Sequence, residues 1–173
     1  MFPAVSLVIG GAASGKSDFA EGLVRSAGRG CVYLATARPL DGEMRGKIRA
    51  HQDARGPVWT TIEEPLDVGR ALATISGDQA VLLDCATMWL SNHLEAQTDL
   101  TEAEAGLMAG LALSSAPVVI VTNEVGHGIV PGNALARGFR EAQGRLNQKL
   151  AARADLVVNV IAGLPQVLKG ALP

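Results

Sequence analysis

The chain has 173 residues, 48% of them hydrophobic and 18% charged, and 15 basic against 17 acidic side chains leave a formal net charge of −2. That length supports a buried core in one domain, 1–173, and the near-neutral balance argues against a basic nucleic-acid binder or an acidic disordered tail. Phe2, Phe19, Tyr33, Trp59, Trp89 and Phe139 are the only aromatic residues, too few for a module that stacks single-stranded bases on aromatic platforms.

In chain order, the apolar run Val5–Gly10 predicts a buried strand, and Lys16–Ala27 a helix with Phe19, Ala20, Leu23 and Ala27 on one face. Val32–Ala35 reads as a second strand, and Glu43–Ala54 as a polar helix anchored by Met44 and Ile48. Leu66–Ile75 follows as a helix begun after Pro65, then Ala80–Asp84 as a strand. Thr101–Leu113 predicts a helix in which Thr101 and Glu104 have capping-box spacing. Val118–Asn123 is a β-branched strand, Asn133–Ala152 a helix, and Leu156–Ile161 the last strand. Strands apolar on both faces, separated by helices, predict an α/β fold: a mostly parallel sheet with helices on both faces.

The most apolar window, Ala105–Thr122, is broken by Ser114, Ser115 and Pro117, so no membrane span is expected. No basic segment precedes the first apolar run, so no secretory signal is expected. Cys31 and Cys85 lie in apolar runs without metal-ligand or disulfide spacing and read as buried free thiols in a reducing, cytoplasmic setting.

Gly10-Gly11-Ala12-Ala13-Ser14-Gly15-Lys16-Ser17 fits G-x-x-x-x-G-K-[ST] between a predicted strand and a predicted helix. Gly10 and Gly15 let the backbone curl so that its N–H groups converge on phosphate oxygens, and the helix start adds a positive dipole end. Lys16 supplies a cation for the terminal phosphates, and the Ser17 hydroxyl suits Mg²⁺. Asp84, after four apolar residues, stands at a strand's carboxyl end, where α/β sheets place ligands, and would be the second metal-side group. These features predict a P-loop NTPase-like domain. They fit a simple small-molecule kinase as well as other phosphate chemistry. No guanine-reading N-K-x-D segment is present, since the strand Val118–Thr122 runs into Asn123-Glu124-Val125-Gly126.

Lys47, His51 and Arg55 recur every four residues and share a helical face. A histidine between cations favours its neutral, nucleophilic form, and the cations attract phosphate. On spacing alone, however, a solvated histidine on a polar helix is the commoner case.

Gly10–Ser17, Asp41–Met44 through Ile48–His51 and Arg55, Trp59–Pro65, Leu82–Cys85, Val121–Pro131 and Arg140–Gln148 follow one another in order over nearly the whole chain. Together these segments resemble the bifunctional adenosylcobinamide kinase / adenosylcobinamide-phosphate guanylyltransferase family of cobalamin biosynthesis. The resemblance implies phosphorylation of adenosylcobinamide by ATP or GTP, then transfer of GMP from GTP through a GMP–histidine intermediate to adenosylcobinamide phosphate. It implies His51 as the GMP acceptor and Lys16 as its catalytic partner at the phosphates. It further implies nucleotide contacts from Ala35-Thr36-Ala37, from Gln52-Asp53-Ala54-Arg55, and from the acids Glu63 and Asp84, with Mg²⁺ at Ser17 and Asp84. Arg55 suits bidentate phosphate binding, and Glu63 suits acceptance of hydrogen bonds from guanine N1–H and N2–H₂. A homotrimer is implied, with a corrinoid as the partner molecule. No role is assigned to His127, whose position varies in the family, and the segment Glu95–Ala116 matches only weakly.

Overall fold

Short runs of valine, leucine and isoleucine form the central strands because such side chains pack well on a pleated surface buried on both faces. The computed structural model describes residues 1–38, 56 and 58–173. Over these it shows β1 (Val5–Gly10), α1 (Lys16–Ser26), β2 (Gly30–Ala35), β3 (Trp59–Glu63), α2 (Val68–Ala73) and β4 (Gln79–Asp84). Then come α3 (Ala86–Glu95), α4 (Leu100–Leu113), β5 (Val118–Asn123), α5 (Ala134–Arg153), β6 (Leu156–Ile161) and β7 (Leu164–Lys169). The helix expected at Glu43–Ala54 lies outside the described residues.

The strands make one seven-stranded sheet in the order β3-β2-β4-β5-β1-β6-β7. Every pairing is parallel except that of β6 with β7. The α/β expectation therefore holds, with one antiparallel edge strand added. One face carries Leu7, Leu34, Leu83 and Ile120 against Leu72, Trp89, Leu107, Leu146 and Leu150 from α2, α3, α4 and α5. The other carries Val8, Leu82, Val121 and Val158 against Ala20, Leu23 and Val24 of α1. Cys31 and Cys85 are buried free thiols.

Three elements were not anticipated. β3 is an edge strand with only partial burial, so its Thr-Thr pair blurs the apolar alternation. α3 interleaves Ser91, Asn92 and His93 with its apolar residues. β7 is exposed along its whole length and contains Pro165, which an edge position tolerates. The turn into β7 is Ala162-Gly163, both with positive φ (52° and 77°), the geometry of a tight two-residue hairpin. The expected capping box of α4 is also corrected. Asp99, not Thr101, is the N-cap, its carboxylate accepting from the N–H groups of Thr101 and Glu102 at 2.7 and 3.2 Å. A carboxylate just ahead of the helix meets its free N–H groups and positive end together. Glu104 pairs instead with Lys149 of α5.

Candidate active site

The carboxyl ends of the parallel strands form one edge. Gly10 of β1 is level with Asn123 of β5, and Ala35 of β2 is level with both Asp84 of β4 and Glu63 of β3. One interstrand step is about 4.8 Å, so roughly 19 Å separates the phosphate loop from Glu63, with Asp84 midway.

The loop joins β1 to α1, and Gly15 is the helix N-cap with φ of 87°. A Cβ on Gly10 would come within 2.5 Å of Ser14 Oγ and 2.6 Å of the Val160 carbonyl oxygen, so only glycine leaves the loop this closely wound. Lys16 is buried, and its Nζ donates to the Gly11 carbonyl at 2.9 Å, curling back over the loop. Ser14 is buried too, and among the described residues its Oγ has no hydrogen-bond partner. An orphaned hydroxyl inside a nest of backbone N–H groups is what an anion site provides. Ser17 stands half-buried in the first turn of α1.

Two neighbours brace the loop, and neither was foreseen. Gly163, in the turn before β7, donates its N–H to the Ser14 carbonyl at 2.8 Å. Glu124, after β5, donates its N–H to the Gly10 carbonyl at 3.0 Å. The Asn123–Pro131 segment is itself anchored from α5. Arg140 donates to the Gly126 carbonyl, and Asn147 Nδ2 to the Asn123 carbonyl at 3.1 Å. Buried Thr122, Gln143 and Asn147 complete the network, with Thr122 Oγ1 donating to Asn147 Oδ1 at 2.7 Å and accepting from Gln143 Nε2 at 3.0 Å.

Around Asp84 the structure is made of side chains. Tyr33 donates its hydroxyl to Asp84 Oδ2 at 2.7 Å. Thr36 Oγ1 donates to the Cys85 carbonyl and accepts from the Cys85 N–H, both at 2.8 Å. Asn92 of α3 donates to the carbonyls of Thr36 and Pro65 at 2.8 and 3.0 Å. Thr36 thus spends its hydroxyl on holding β2 against β4, beside half-buried Ala37 and buried Ala35. The Asp84–Cys85 peptide is cis. Burial, helped by the Asp84 charge, pushes the Cys85 thiol up to about 11, against the opposing pull of N–H groups and of Lys16. The thiol is therefore neutral at pH 7 and no nucleophile.

Sequence reasoning named Gly10–Ser17, Ala35–Ala37, Glu63 and Asp84, and the structure brings all of them to one edge. His51 and Gln52-Asp53-Ala54-Arg55 lie outside the described residues. It missed Tyr33 and Asn92. The signal for Asn92 was the polar trio Ser91-Asn92-His93 between the apolar Trp89-Leu90 and Leu94. His93 is buried.

A family model described as cobinamide kinase / cobinamide phosphate guanyltransferase matches residues 6–168. The chain belongs to this family. A Salmonella typhimurium protein named bifunctional adenosylcobalamin biosynthesis protein CobU is 42% identical over 94% of this chain and 98% of its own length. Its Escherichia coli namesake is 38% identical with the same coverage of both chains. A Pseudomonas aeruginosa protein named bifunctional adenosylcobalamin biosynthesis protein CobP is 39% identical over 95% of this chain and 96% of its own. Among solved structures, the RadB recombinase superposes with a TM-score of 0.54 at 16% identity, over 91% of this chain and 74% of that one. At that identity the likeness is one of fold alone. Both activities in the cobinamide kinase / guanyltransferase name use a nucleotide as donor, which agrees with the loop geometry above.

Proposed function

We propose that this chain, acting as one nucleotide-binding domain over 1–173, phosphorylates adenosylcobinamide with ATP or GTP and then transfers GMP from GTP to adenosylcobinamide phosphate. The products are adenosylcobinamide-GDP and pyrophosphate. The observation that carries this reading is the family match along residues 6–168.

In the kinase step, the loop N–H groups and Lys16 clamp the triphosphate so that its γ-phosphorus faces the substrate hydroxyl. The hydroxyl oxygen bonds to that phosphorus, the bond from phosphorus to the β–γ bridging oxygen breaks, ADP or GDP leaves with the electrons of that bond, and the hydroxyl proton passes to solvent. In the second reaction, the neutral His51 imidazole bonds to the α-phosphorus of GTP and pyrophosphate leaves with the electrons of the broken P–O bond. A phosphate oxygen of adenosylcobinamide phosphate then bonds to the same phosphorus, and the P–N bond breaks to return imidazole. Two displacements let the bulky corrinoid enter after pyrophosphate has gone. Arg55 pairs with phosphate oxygens, and Glu63 accepts from guanine N1–H and N2–H₂, favouring GTP for this step. Ala35, Thr36 and Ala37, and Gln52, Asp53 and Ala54, contribute nucleotide contacts.

Mg²⁺ fits the donor set at β4's end and the loop. Ser17 offers a hydroxyl, and Tyr33 engages one of Asp84's two oxygens. Among the described residues no cluster of three carboxylate, thiol or imidazole side chains gathers. Mg²⁺ commonly takes one or two protein oxygens and completes its shell with phosphate and water. When bound, it would offset the negative charge of the phosphates.

The reading extends to a cytoplasmic homotrimer. No described helix is long and apolar enough to cross a membrane. On β7, Leu164, Val167 and Leu168 are all exposed, an apolar edge that favours self-association. Sedimentation would report the trimer mass.

The deciding experiment is exposure to α-labelled GTP. Acid-labile, base-stable label on the protein, absent from His51→Ala while kinase activity partly survives, is the expected outcome. No protein-bound label with intact kinase activity would reduce the protein to a simple kinase. Lys16→Ala should damage both reactions by about 100-fold or more, since each needs a clamped triphosphate.

A further inference from the structure

Resting on the activity just described, we propose that a groove between α3 and the start of α5 holds the corrin ring of adenosylcobinamide. The groove encloses about 680 Å³. Ser91, Leu94, Glu95 and Gln97 form one wall, and Asn133, Leu135, Ala136 and Phe139 the other.

Its position follows from the hydrogen bonds of α3. That helix lies along the carboxyl edge of the sheet, because Thr87 Oγ1 accepts from the Asn123 N–H at 2.9 Å while Asn92 reaches the loops after β2 and β3. Ser91 and Glu95 follow Thr87 at intervals of four, so all three share a helical face. From the groove, this face leads back to Asn123, and the next residue, Glu124, is bonded to Gly10 of the phosphate loop. Ser91, on the groove wall, is one helical turn from Thr87, so the groove begins about 6 Å along α3 from the end of β5.

Its chemistry matches the substrate. A corrin is a broad ring with methylated, apolar faces and an amide-bearing rim. Leu94, Leu135, Ala136 and Phe139 offer apolar surface, and Leu135 is 82% exposed. Ser91, Gln97 and Asn133 offer hydroxyl and amide partners for the rim. Asn133 is already fixed, its Oδ1 capping α5 by accepting from the Ala136 N–H at 2.7 Å. Among the described residues, Glu95 is the one charged side chain lining the groove. Adenosylcobinamide carries a single positive charge. Its reacting hydroxyl ends a flexible arm, so the ring can rest in the groove while the hydroxyl reaches the γ-phosphate. A mostly apolar site with a few placed polar groups is the usual make-up of a small-molecule pocket.

The test compares the wild-type enzyme with Ser91→Trp, which fills the groove, Leu135→Ser, which strips apolar surface, and Glu95→Lys, which reverses the charge. KM for adenosylcobinamide should rise about tenfold or more in Ser91→Trp and about threefold or more in Leu135→Ser. Glu95→Lys should weaken binding of cationic adenosylcobinamide while leaving electrically neutral dicyanocobinamide nearly unaffected. GTP affinity and sedimentation mass should stay at wild-type values throughout. Unchanged corrinoid KM in all three variants would overturn the groove assignment and leave the function reading intact. A fall in sedimentation mass accompanying the loss would make the groove a contact between copies instead. A wild-type enzyme that neither binds nor turns over either corrinoid would defeat the function reading, and the groove with it.

Discussion

At the β1 end of the carboxyl edge, the phosphate loop is held mainly by backbone atoms. Lys16 bonds a carbonyl of its own loop, and Gly163 and Glu124 add backbone N–H groups from either side. Two strands away, the Asp84 end is held by side chains: Tyr33 on the carboxylate, Thr36 on both sides of the Cys85 peptide, and Asn92 across two loops. Binding an anion of fixed shape needs many N–H groups at fixed spacing, which a wound backbone supplies in one contiguous stretch. Orienting a single carboxylate needs a few donors from different directions, and these come from separate elements. The first arrangement leaves no room for an added atom at Gly10. The second should yield gradually as its donors are removed.

The strongest test of that contrast is Gly10→Val. The new side chain meets the Val160 carbonyl oxygen, which belongs to a paired strand and cannot step aside. GTP affinity measured by calorimetry should fall about 100-fold or more, since the loop can no longer close on phosphate. Near-normal affinity would show that the loop is not backbone-determined. Asn92→Ala comes next. It leaves the Thr36 and Pro65 carbonyls without their amide donor, and stability in denaturant should fall by roughly 2–4 kcal/mol. GTP affinity should drop only severalfold, because the phosphate loop is untouched.

The Cys85 thiol gives a pH test of the same corner. Its value rises from the ordinary 9.0 to about 11 in the folded protein, chiefly through burial. Below pH 9 the thiol is neutral in both folded and unfolded chains. Between 9.0 and about 11 the unfolded chain ionises first and binds fewer protons, so this group's contribution to stability is lost as pH rises through that window. Cys85→Ala should remove about 2 kcal/mol of alkaline destabilisation from unfolding curves taken across the window. Parallel curves for the two proteins would place the thiol in contact with water. The smallest effect is expected from Tyr33→Phe. It deletes one donor to a half-buried carboxylate and should cost about 1 kcal/mol in nucleotide affinity, with unfolding nearly unchanged.

The same contrast governs how far the sequence could be read. β1, β5 and β6 match the expected bounds residue for residue, because a strand covered on both faces must be apolar throughout. β3 and β7 escaped notice because edge strands carry no such demand. α3 escaped for a related reason. Its Thr87, Asn92 and His93 are buried and bond to neighbouring loops, so its pattern resembles neither an amphipathic helix nor a strand.

The phosphate loop, the five inner strands and the family resemblance were legible without coordinates, because each is written in residues close together in sequence. The bracing of the loop by the β6–β7 turn, the orientation of Asp84 and the groove beside α3 were not. Tyr33 and Asp84 are 51 residues apart, and Thr36 and Asn92 are 56 apart. No local propensity carries information across such a gap. These contacts exist because burying both faces of the sheet brings its strands into one order, and that order lays distant residues along a common edge.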